Sequence, residues 1–68
     1  MADYLYYNIY NTTDDTFLGT VRVEIDLSNR LAPAARARNI ARDVVGTSGE
    51  ITAVISTKEM YNQHKIND

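Results

Sequence analysis

The sequence predicts a small α+β domain: a three-stranded antiparallel sheet in β-β-α-β order, strands arranged 2-1-3, with one main helix on one face and a short C-terminal helix or extra strand. Three observations carry this expectation. Two alternating apolar and polar runs, residues 3–10 and 17–26, flank a polar turn. An alanine-rich amphipathic stretch, residues 33–45, lies between a proline and a glycine. A third alternating run follows at residues 50–57.

In the first run Leu5, Tyr7 and Ile9 point one way, and Tyr4, Tyr6, Asn8 and Tyr10 the other. Both faces are partly apolar, which suits a central strand. Residues 11–15, Asn-Thr-Thr-Asp-Asp, are turn-formers and reverse the chain. In the second run Phe17, Val21, Val23 and Ile25 share a face, with Gly19 among them; Leu18, Thr20, Arg22, Glu24 and Asp26 share the other. Gly19 marks either a bulge or a close approach to the backbone.

Ser28 and Asn29 are candidate caps for the connection to the helix. Pro33 fits the first helical turn, where a missing N–H costs nothing. Gly46 supplies the left-handed cap at the other end. At 100° per residue, Ala34, Ala37, Ile40, Ala41, Val44 and Val45 fall on one arc. That stripe is poor in bulk, so the axis can sit close to a sheet, with Tyr7 and Phe17 filling the space left by the alanines.

Thr47-Ser48-Gly49 reads as a tight connector, and Ile51, Ala53 and Ile55 share a face of the third strand. Ser56 to Glu59 has the spacing of a capping box, so residues 57–64 read as a short helix, with a fourth strand as the alternative. Residues 64–68 are expected to fray. A helical crossover makes the third strand parallel to the second, and placing it beside the first gives order 2-1-3.

Sixty-eight residues make one domain, 1–68, with a thin core. The chain contains no cysteine and one histidine, so disulfides, thiolate metal sites and imidazole-rich metal sites are excluded. Self-association, as a homodimer, is the remaining stabilising device. The net charge of −2 does not draw the whole molecule to nucleic acid. No apolar run approaches the ~18 residues of a membrane span, and no signal-peptide pattern is present, so a soluble, cytoplasmic protein is expected. Asn11-Thr12-Thr13 matches the glycosylation pattern but is read as a loop.

No catalytic constellation emerges. Asp14-Asp15 is read as a turn rather than a cation site, and His64 has no serine or acid at a recognisable spacing. Asp3, Glu24 and Asp26 lie near strand ends, with nothing to fix an acid beside a base. The expectation is a protein that is not an enzyme and has no cofactor or metal.

Two surfaces remain. The sheet face opposite the main helix carries Tyr4, Tyr6 and Tyr10, with Arg22 and Glu24 opposite them and Leu18 and Val54 on the flanking strands. Three occupants compete for it: the C-terminal helix through Met60 and Tyr61, a protein partner or second copy, and stacked nucleic-acid bases. The partner-binding set is Tyr4, Tyr6, Tyr10, Arg22 and Tyr61. The second surface is the helix with Arg36, Arg38 and Arg42, a possible anion or nucleic-acid contact, or simply a solvated face.

In length, lack of cysteine, mild acidity and strand–strand–helix–strand order, residues 3–57 resemble the small inhibitors that phages encode against host defence complexes, anti-CRISPR proteins among them. The resemblance lies in layout, and no residue roles carry over. It implies a non-enzymatic inhibitor that blocks or bridges a protein partner through the tyrosine face or an edge strand. A nucleic-acid accessory protein and a homo-oligomeric assembly component are the alternatives.

Overall fold

The computed structural model of the chain describes residues 3–46 and 49–67, so Thr47 and Ser48 of the expected connector lie outside the described residues. Five elements follow in order: β1 (Tyr4–Asn11), β2 (Thr16–Glu24), α1 (Pro33–Val45), β3 (Ile51–Ile55) and α2 (Lys58–Gln63). The three strands form one sheet in order β2-β1-β3, and both pairings are antiparallel. The α+β architecture and the strand order are those the alternation pattern predicts.

The turn between β1 and β2 is stapled by its own side chains. Asn11 Oδ1 accepts from the Thr13 amide at 2.9 Å and Asp14 Oδ1 from the Thr16 amide at 3.2 Å. Asp15 takes φ 59°, a left-handed conformation that Asp tolerates.

The register of β2 breaks once. Ile9 faces Gly19, but Tyr10 faces Phe17, which leaves Leu18 as an extra residue. This bulge overturns the strict alternation expected from the sequence. Phe17 crosses to the tyrosine side, 5.5 Å from the Tyr10 ring, while Leu18 packs against the α1-side core.

The N-cap position of α1 is Ala32, which has no side-chain cap, so Ser28 and Asn29 do not cap the helix. Both serve the preceding loop. Ser28 donates to Asp26 Oδ1 through its amide at 3.0 Å and its hydroxyl at 2.6 Å, and Asn29 Oδ1 accepts from the Leu31 amide at 2.9 Å. The helix ends at Gly46, whose φ of 75° places it in the left-handed region; its N–H donates to the Arg42 carbonyl at 2.9 Å.

α1 packs on all three strands. Its alanines let the axis approach, and Ala37 and Ala41 are buried with Ile9, Val21, Val23 and Ile51. Tyr7, Leu18, Ile40, Ala53 and Ile66 close the core around them. Val44 and Val45, expected on the buried stripe, are instead 56% and 42% exposed, because burial is confined to the middle of the helix.

Residues 58–63 are helical, which settles the alternative between helix and strand. The cap is Thr57, whose hydroxyl oxygen accepts from the Met60 amide at 3.2 Å. Ser56 does not act as the expected capping-box residue. It turns back to the sheet and donates to Asn8 Oδ1 at 2.7 Å. The expected fraying of the tail is also overturned for residues 64–67: these residues run along the free side of β2, where Lys65 bridges Thr20 in parallel.

Candidate functional site

The face opposite α1 is organised around β1. Tyr4, Tyr6, Asn8 and Tyr10 alternate with Ile9 and therefore point away from the Ala37–Ala41 core. α2 packs under β1 and β2 on this side. The Tyr6 and Tyr61 rings lie 5.4 Å apart, and Tyr61 is 4% exposed. The Arg22 guanidinium sits 4.2 Å over the Tyr4 ring and 5.6 Å from that of Tyr61, and the Lys65 ammonium lies 5.5 Å from the Tyr61 ring. Tyr10 belongs to a separate group with Phe17 and His64, whose rings meet edge-on at 5.1 Å.

Of the partner-binding set, Tyr4, Tyr6, Arg22 and Tyr61 therefore come together, and Tyr10 stands apart. The C-terminal segment is an occupant of this face, so these tyrosines are largely engaged within the chain. Asn8, missed by the sequence reading, lies at the centre. Its Oδ1 accepts from Thr20 at 2.8 Å and from Ser56 at 2.7 Å, joining β1 to β2 and to the segment after β3.

The helix arginines do not form a common patch with the tyrosines. Arg36 and Arg38 are half-buried and Arg42 is exposed. The Asp26 carboxyl is held below its ordinary value of 3.8 by the Ser28 hydroxyl and amide, with a smaller contribution from Arg36. Asp14 is likewise lowered, by hydrogen bonds from Thr16. Among the described residues, no group of three or more His, Cys, Asp or Glu is placed to hold a metal ion.

The two edges of the sheet differ, and this difference defines the candidate site. Along β2, the residues that point away from β1 are capped by the tail. The Thr20 amide donates to the His64 carbonyl at 2.8 Å, and the Ile66 amide donates to the Thr20 carbonyl at 2.8 Å. The Asn67 side chain then acts as one more backbone unit: its Oδ1 accepts from the Arg22 amide at 2.9 Å and its Nδ2 donates to the Arg22 carbonyl at 2.9 Å. Tyr61 locks the tail by donating its hydroxyl to the Asn67 carbonyl. Gly19 makes room for it, since a Cβ there would lie 2.6 Å from Ile66 Cγ1.

β3 has no such cover among the described residues. It is the outer strand of the sheet and pairs with β1 alone. The Ser56 amide donates inward to the Tyr6 carbonyl at 2.7 Å, and the Thr12 amide donates to the Glu50 carbonyl at 3.0 Å. In an antiparallel ladder this parity turns the N–H and C=O groups of Ile51, Ala53 and Ile55 outward. Val54 and Ile55 are 48% and 63% exposed, one on each face of this edge. The sequence contained the signal in the uncharged, proline-free run Ile51–Thr57.

No protein-family model, curated protein or solved structure matches the chain.

Proposed function

We propose that this chain is a non-enzymatic binding domain that takes a protein partner by strand addition along the outer edge of β3, and thereby blocks or bridges that partner. What supports this is the asymmetry of the sheet: β2 is sealed by the tail, while β3 leaves outward backbone groups beside exposed Val54 and Ile55. Backbone pairing would supply affinity, and the two side chains would supply selectivity. An inhibitor of the phage type needs no more than such an edge, since occlusion requires complementarity and no chemistry. The tyrosine face supports the reading less well, because Tyr6 and Tyr61 already pack on each other. So does the arginine helix, whose Arg36 and Arg38 are half-buried.

Ala53→Pro tests the proposal. Proline at 53 removes an outward donor and leaves the inward ladder to β1 intact, a position edge strands accept. Immobilised protein, offered a nuclease-treated lysate of its native cell, is expected to retain a protein partner that the variant does not. Equal retention by both, or retention that depends on nucleic acid, contradicts it.

A further inference from the structure

We infer that the β3 edge takes a second copy of this chain, paired antiparallel about a two-fold axis at Ala53. The inference rests on the reading of this edge as the binding surface, and it names the occupant.

The outward groups belong to Ile51, Ala53 and Ile55, with Ala53 in the middle. An antiparallel copy centred on Ala53 sets Ala53 against Ala53 and Ile51 against Ile55. Each such pair exchanges both N–H···O bonds, so every outward group finds a partner and none is left over. The three-stranded sheet doubles into one continuous sheet.

The run from Ile51 to Thr57 carries no charged residue and no proline, the usual guards against edge pairing. Exposed Glu50 precedes the strand and the exposed pair Lys58-Glu59 follows it, so only the leading flank carries net charge. Antiparallel pairing brings the Glu50 end of one copy to the Lys58-Glu59 end of the other. Parallel pairing would set Glu50 beside Glu50.

Ile55, 63% exposed, lies on the α1 side of the sheet, as its pairing with Tyr7 shows. In the dimer it faces Ile51 of the other copy on the same side of the sheet, and pairing covers part of its exposed surface. Among the described residues, none donates to or accepts from the outward groups of Ile51, Ala53 and Ile55.

Sedimentation velocity from micromolar to millimolar concentration reads the association, and a cysteine reads the register. The wild type is expected to move from monomer to dimer mass. Ala53→Pro and Ile55→Lys are expected to stay monomeric; the second alters an exposed side chain and keeps its far-ultraviolet spectrum. The chain has no native cysteine, so Ala53→Cys can report alone. Facing Cα atoms about 5.5 Å apart suit a disulfide, and this variant is expected to oxidise to a covalent dimer far faster than Thr13→Cys in the β1–β2 turn. A wild type that stays monomeric at millimolar concentration overturns the inference, even where a lysate partner is still retained and the broader reading stands. A dimer undiminished by Ile55→Lys, or one in which Cys at 53 oxidises no faster than Cys at 13, overturns it as well.

Discussion

Asn8 holds the sheet together with a single oxygen. Its Oδ1 takes the hydroxyls of Thr20 and Ser56, and Thr20 has no exposed surface. Removing the acceptor strands a buried hydroxyl, which costs about 1–3 kcal/mol; removing both partners in favour of apolar groups of similar shape costs less. Asn8→Leu and Thr20→Val, measured singly and together by urea unfolding, are therefore expected to couple, with the double variant more stable than the sum of the singles implies. Additivity within about 0.3 kcal/mol would contradict this. Asn8 was legible as a member of the tyrosine face. Its role was not, because a side-chain hydrogen bond across strands depends on register, and periodicity does not encode register.

At the scale of elements, the predictable parts were those with a repeating pattern or a punctuating residue. Pro33 and Gly46 bound α1 where the sequence places them. Alternation identifies all three strands, and the two-faced character of β1 places it centrally. The departures come from single events within a pattern. One extra residue at Leu18 sends Phe17 to the opposite face, and only Gly19 hinted at it. The tail was missed because residues 64–67 form a bridge too short to have a period, completed by the Asn67 side chain in place of backbone.

Gly19 connects these two departures. Its φ of +137° is one that other residues rarely adopt, and an added Cβ would also lie 3.0 Å from the His64 carbonyl oxygen. Gly19→Ala is expected to cost about 1–3 kcal/mol through overpacking and to loosen the tail. Trypsin should then cut after Lys65 faster than in the wild type, as followed by mass spectrometry. Unchanged stability together with an unchanged cleavage rate would show that the tail does not depend on this contact.

For the molecule as a whole, α1 and α2 cover opposite faces of the sheet and the tail covers one edge. The remaining edge is β3. Much of the expected tyrosine surface is thus spent on holding the fold: Tyr61 anchors α2 against Tyr6 and locks Asn67. Of the exposed apolar residues, Val54 lies at the β3 margin of that face, and the others stand away from it, at Ile55 on β3, at Val44 and Val45 ending α1, and at Ile25, Leu27 and Leu31 after β2. A binding role through an edge strand was readable in the sequence as one option among several. The choice of edge was not, since it turns on the tail.

Amide hydrogen exchange, read residue by residue in a dilute monomeric sample, tests that asymmetry most directly. The sealed β2 edge predicts slow exchange for Thr20, Arg22 and Ile66, and the open β3 edge predicts fast exchange for Ile51, Ala53 and Ile55. Fast exchange at the first three, or slow exchange at the last three, would contradict the account.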